Sequence, residues 1–252
     1  MTTQSSLGII VYAPALVGND PRTLDSVHGM EKALSGLRLE WRLSDSGRPI
    51  ALPQRDAWLA EKTRDGKFPI LCNGDESYPV TINGRGRDGL FSPGGQPLFE
   101  VHAELPLDER VSASAAAVLE GVAEGACALW GEATPYAAAV DIAYQTAPTQ
   151  EGPPSPRRGL PALKLFEHIR SPEIPAYLGW LNYWSAAAAR AIGFPAPARD
   201  AELLSRARRT ASGGWVVQLT EAPLELDTPA HLDALKRAYE RFPEIGGRVT
   251  PR

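Results

Sequence analysis

Gly84, Gly86 and Gly89 spell G-x-G-x-x-G, the spacing with which a glycine turn brings backbone amides against a pyrophosphate. That use needs a helix to open at the third glycine. Phe91-Ser92-Pro93-Gly94-Gly95 follows instead and breaks one, so the segment is expected to be a turn. His28, His102, His168 and His231 are scattered without zinc-ligand spacing. Cys72 and Cys127 are the only cysteines, too few and too far apart for a disulfide framework or a C-x-x-C site. Cys72 with His102 as its base, or His231, would make an enzyme site only if the fold brings distant residues together. Burial as a small hydrophobe is the ordinary use of a free cysteine. No G-x-S-x-G elbow or P-loop occurs. Arg206, Arg208 and Arg209 cluster near a helix end, with Arg157 and Arg158 in a proline-rich stretch. They could contact phosphate, but arginines there also complement a helix macrodipole, and a solvated role is the expectation.

Charge distribution says more. Between Gln96 and Thr146 stand eight acids, among them Glu100, Glu104, Glu120 and Glu124, against Arg110 alone. Such a segment can present a negative surface to a basic partner, speeding and selecting association, although acids also simply solvate an outer face. The aromatic run Tyr177–Trp184 has a similar double use. Tyr177, Trp180, Tyr183 and Trp184 suit both cores and interface hot spots. Most are expected inside, with one or two exposed.

The elements that must position these groups are short. Residues 7–13 read as a buried strand, and Asp20-Pro21 opens a helix running to about Ser35. Alternation at Leu37, Leu39, Trp41 and Leu43 predicts a strand, and residues 55–64 a short helix. Asn73-Gly74, Asn83-Gly84 and Gly94-Gly95 mark turns around strands at Phe68–Cys72 and Tyr78–Ile82. Residues 98–105 alternate, with Phe99, Val101, Ala103 and Leu105 on one side and Leu98, Glu100, His102 and Glu104 on the other. Ser112–Trp130 predicts an amphipathic helix and residues 136–144 a returning strand. Residues 146–161 hold a proline-rich loop or linker. Helical turns are expected over Leu163–Ile169, after Trp184 and over Asp200–Arg209. A strand follows at Trp215–Thr220, and Thr228-Pro229 opens a last helix. Strands and helices mix without strict alternation, which predicts an α+β fold with a largely antiparallel sheet and flanking helices. One domain is expected over residues 1–252.

Composition sets the outer bounds. Forty-three per cent hydrophobic and 22% charged residues over 252 positions describe a globular chain. Glycine and proline, 23 each, argue against a long helical bundle. A formal net charge of −4 gives no reason to expect the chain to wrap nucleic acid. The apolar stretch Leu7–Val17 is broken by Pro14 and lacks a basic lead, and no run approaches the ~18 apolar residues of a membrane span. A cytoplasmic address without a membrane partner is expected.

In order, several stretches resemble the immunity protein 52 family of bacterial polymorphic-toxin systems. They are Asn73-Gly74, Gly94-Gly95, the alternating strand ending in Leu105-Pro106, and the 112–130 helix with Trp130-Gly131. Leu178-Gly179-Trp180-Leu181-Asn182-Tyr183, Gly213-Gly214-Trp215, Leu219-Thr220 and Thr228-Pro229 follow. The similarity runs from about Trp41 to Gly247, and the first forty residues and the 146–161 loop depart from it. The chain also looks like a myxobacterial relative of that family, through the aromatic run and the Arg241–Gly247 segment. The resemblance implies an α+β protein that binds and neutralises a cognate toxin, typically a nuclease of restriction-endonuclease-like fold. It implies no catalytic residue, metal or cofactor, and no direct contact with nucleic acid. A nuclease cleft is basic and metal-loaded, so it would welcome carboxylates. Glu100, Glu104, Glu120, Glu124, Trp180 and Tyr183 are therefore the expected toxin-binding residues. The alternatives are an enzyme with a site built from distant residues, and an interaction scaffold without inhibitory action.

Overall fold

The computed structural model describes residues 5–44, 46–147 and 158–249. Alternating apolar residues make β1 (Ser6–Pro14), which buries Leu7, Ile9, Val11 and Ala13. The Asp20 carboxylate accepts the Arg22 amide at 3.0 Å where α1 (Arg22–Ala33) begins. The chain continues through β2 (Trp41–Leu43), β3 (Pro49–Ala51), α2 (Arg55–Arg64), β4 (Phe68–Cys72) and β5 (Thr81–Arg87). Then come β6 (Leu98–Pro106), α3 (Glu109–Gly125), β7 (Trp130–Pro135), α4 (Tyr136–Thr146) and β8 (Leu181–Trp184). It ends with α5 (Ala186–Ala191), α6 (Pro197–Ser205), β9 (Ala207–Arg209), β10 (Trp215–Gln218) and α7 (Pro229–Arg241).

These strands form one sheet in the order β3-β2-β4-β5-β6-β1-β7-β8-β10-β9, and every pairing among the described residues is antiparallel. The mixed α+β class with flanking helices is thus the observed one. The sheet's two outermost strands, β3 and β9, are three residues each.

β6 divides the two faces. Its Phe99, Val101, Ala103 and Leu105 point with Leu7, Ile9, Val11 and Ala13 of β1 toward α1 and α3. On α3, Val111, Ala115, Val118, Leu119 and Val122 are buried at helical spacing. The two helices meet at glycine: a Cβ on Gly121 would lie 2.4 Å from the Gly29 carbonyl oxygen, and one on Gly29 2.1 Å from that of Gly121. No side chain fits between backbones so close. The other face carries Glu100, His102 and Glu104, and beyond β1 it is covered by aromatic packing. Tyr12 stacks on Trp130 at 4.1 Å, Phe166 lies over Tyr12, and Trp184 meets Phe194 and Phe242 edge-on.

Several boundaries differ from expectation. Asn83-Gly84 lies inside β5 rather than in a turn, because Gly84 passes beneath the Phe68 and Phe99 rings, where a Cβ would come within 2.8 Å of each. The expected helix to Trp130 ends at Gly125. Cys127 adopts φ 51° and the Ala128 amide returns to the Ala123 carbonyl at 2.8 Å, a Schellman closure. That stop frees Trp130–Pro135 to become β7. The expected strand at 136–144 is helix α4, whose alanines favour that state. Residues 163–169 hold only a single 3₁₀ turn, Phe166–His168. The helix over Asp200–Arg209 stops at Ser205, and Ala207–Arg209 join the sheet. Residues 148–157 of the proline-rich stretch, including Arg157, lie outside the described residues. No helix among the described residues is long and apolar enough to cross a membrane.

Candidate functional site

Register across the central strands assembles a polar surface. Thr81, Asn83 and Arg85 of β5 stand beside Glu104, His102 and Glu100 of β6, and these beside Gly8, Ile10 and Tyr12 of β1. Small Gly8 helps leave an open groove of about 350 Å³, rimmed by Thr81, Asn83, Arg85, His102, Glu104 and Tyr136.

Glu100 anchors this surface from below. Its side chain is fully buried, yet it accepts from Arg85 Nε at 2.6 Å and Arg87 Nε at 2.5 Å, and pairs with His102 Nε2 at 3.3 Å. Burial alone would raise its pKa; the hydrogen bonds from His102, Arg85 and Arg87 outweigh it and hold the carboxyl down at about 2. Arg87 is fixed in turn over the Phe166 ring, 4.7 Å from its centroid. Glu104 is exposed and has no ion-pair partner among the described residues.

A second carboxylate behaves in the opposite way. Glu132 of β7 faces Ile10 across one strand and Asn182 across the other. Desolvation pushes its pKa up to about 7, and the Thr134 hydroxyl, which donates to it, offsets only part of that. Gly179 closes over the pair: a Cβ there would lie 2.3 Å from Glu132 Oε2. Asn182 clamps this crossing by accepting the Gly179 amide and donating to its carbonyl, both at 3.0 Å.

Beside the groove, α4 turns Ala138 and Ile142 inward and presents Tyr136, Val140 and Tyr144 to solvent, 65%, 36% and 64% exposed. Their four-residue spacing makes one outward stripe of two tyrosines about a valine. Spacing of four keeps Tyr136, Val140 and Tyr144 on one face of a strand as well as of a helix, so it did not separate the two readings of this segment. Asn83 and Arg85 were hidden within a presumed turn.

The acidic segment does not form one negative surface. Glu100 is buried under arginines. Glu120 pairs with Arg208 at 2.5 Å, and Glu124 accepts from the Tyr183 hydroxyl at 2.8 Å and Ser212 Oγ at 2.6 Å. Both sit on α3, on the side of the sheet opposite Glu104. Asp108 caps α3 through the Val111 amide at 2.7 Å, and Asp141 holds Arg158 at 3.0 Å. Trp180 and Tyr183 are 1% and 2% exposed. Trp180 Nε1 donates to the Thr220 carbonyl at 2.8 Å. Burial takes Glu100, Trp180 and Tyr183 off the accessible surface, and Tyr177 is the aromatic of that run left exposed. Cys72 and His102 lie on β4 and β6 with β5 between them, about 10 Å of sheet apart. His231 Nδ1 instead accepts the Glu225 amide at 3.2 Å.

Fold and surface together define an α+β protein whose wide antiparallel sheet carries α1 and α3 on one face, and on the other packs against α7 at one side and leaves a polar groove open over its central strands. The family model for a domain of unknown function (DUF5953) matches residues 18–250, and the chain belongs to that family. Among solved structures, the Pseudomonas aeruginosa T6SS protein PA0821 is similar in fold, with a TM-score of 0.54 and 16% identity over 94% of this chain and 76% of that one. No curated protein matches the sequence.

Proposed function

We propose that this protein binds a cognate bacterial toxin and neutralises it stoichiometrically, without turnover, in the cytoplasm. The ordered resemblance to the immunity protein 52 family supports that reading and points to a nuclease of restriction-endonuclease-like fold as the target. The likeness to a T6SS protein across nearly the whole chain is in keeping with it. The observation that carries the reading is the groove over β5, β6 and β1 beside the exposed stripe of α4. It joins an exposed carboxylate, Glu104, to aromatic side chains of the kind that dominate interface hot spots. The docking surface is therefore Glu104, Tyr136 and Tyr144, with Arg85 and His102 as its polar floor.

The test is to mix the purified protein with the toxin encoded beside its gene. Co-elution at equimolar ratio and loss of nuclease activity are expected. Tyr136→Ala combined with Tyr144→Ala should weaken capture at least tenfold, as should Glu104→Lys. Nuclease activity that survives an equimolar excess, without co-elution, refutes the function. Capture that is unchanged in these variants moves the interface elsewhere.

A further inference from the structure

The basic cluster near the end of α6 has a larger setting than its sequence suggests. Arg199, Glu202, Leu203 and Arg206 recur at intervals of three, one and three, and across a cleft α7 repeats the pattern with Ala234, Arg237, Ala238 and Arg241. Both rows line the cleft, whose volume is about 150 Å³. The two alanines leave the space that longer side chains would fill.

The four guanidinium groups fall into two kinds. Arg206 and Arg241 are fixed. Arg206 donates to the Leu219 carbonyl at 3.1 Å and to Glu202 at 3.0 Å. Arg241 forks onto buried Asp200 at 2.5 and 2.9 Å and donates to the Gly193 carbonyl at 2.8 Å. Arg199 has no ion-pair partner among the described residues, and Arg237 stands 3.9 Å from Glu202, beyond hydrogen-bond reach. Two anchored donors beside Arg199 and the loosely paired Arg237 suit an oxyanion, because the guanidinium fork matches its geometry. Glu202 already lies against Arg206 and Arg237, while its side chain remains 63% exposed.

We propose that the α6–α7 cleft is a binding site for a small phosphomonoester, and that Glu202 holds the anion position until the ligand displaces it. This is independent of toxin binding, which the groove over the central strands β5, β6 and β1 would serve.

Isothermal titration of the full chain at low ionic strength with inorganic phosphate, with adenosine 5′-monophosphate and with a short single-stranded oligonucleotide tests it, against chloride as control. Saturable binding of phosphate or of the nucleotide is expected. Arg199→Ala and Arg237→Ala should each weaken it at least tenfold, and Glu202→Gln should tighten it severalfold. Unchanged thermal unfolding of the variants separates these effects from misfolding. Equal affinity for the two probes identifies free phosphate as sufficient, and tighter nucleotide binding identifies the ester. No saturable binding, or affinity that ignores all three substitutions, overturns the proposal. A response to single-stranded oligonucleotide alone overturns it in favour of a polymer backbone.

Discussion

Replacing Glu132 with glutamine should make stability less sensitive to rising pH. The folded carboxyl titrates at about 7, against a reference value of 4.5. The folded state therefore keeps its proton where the unfolded chain has released it. Stability from this group is full below the unfolded value and is lost as pH rises through the folded one. Between about pH 5 and about pH 8 the wild type should lose on the order of 2–3 kcal/mol through this one group. Glutamine keeps the shape of the protonated acid and cannot ionise, so the variant escapes that loss. Urea unfolding followed by tryptophan fluorescence across this range gives the difference in stability between the two proteins. Other titrating groups cancel in that difference, which should widen with pH in favour of the variant. A difference that stays constant would mean that Glu132 ionises as freely in the fold as in the unfolded chain, and the desolvation reasoning would fail.

Glu100 should act with the opposite sign. Its carboxyl is held at about 2 against a reference of 4.5, so its stabilisation is present at neutral pH and lost as pH falls between those values. Glu100→Gln should cost about 2 kcal/mol at neutral pH, and an acid titration by circular dichroism should show a flatter limb. Gly121→Ala must push α1 and α3 apart and should cost about 1–3 kcal/mol in chemical denaturation; an unchanged midpoint would contradict the close approach. Glu124→Lys strips acceptors from Tyr183 and Ser212 and should cost about 1–3 kcal/mol, whereas exposed Glu104→Lys should stay within about 0.5 kcal/mol of wild type in thermal melts.

The fold class, β1, β6 and α7 were legible because each rests on a strong local signal. β6 alternates over its whole length, and Thr228-Pro229 marks the start of α7. The misread segments depend on contacts distant in sequence. Asn83-Gly84 is a turn signal by itself, and only the rings of Phe68 and Phe99 above it explain a glycine in mid-strand. Trp130 continues the helical stripe of α3 by spacing, yet the left-handed Cys127 diverts it into β7. Of the candidate groove, the shared side of His102 and Glu104 on β6 was legible from alternation, and Glu104 is the expected binding carboxylate of that strand that stays exposed. Alternation gave the face of Glu100 and Glu104, but a run of acids in sequence does not say which will be paired, and neighbouring arginines and hydroxyls hold Glu100, Glu120 and Glu124. The aromatic run was informative about the core, where Trp180, Tyr183 and Trp184 are buried.

The two ends of the sheet constrain how any companion molecule approaches. β3 offers three residues headed by Pro49, which has no amide hydrogen to donate, and β9 offers three of which two are arginine. Stubs of that kind make poor templates for lateral growth. Recognition by an added strand is thereby discouraged, as is accretion of one copy onto the next, and a visitor is left to settle broadside, on side chains rather than on backbone.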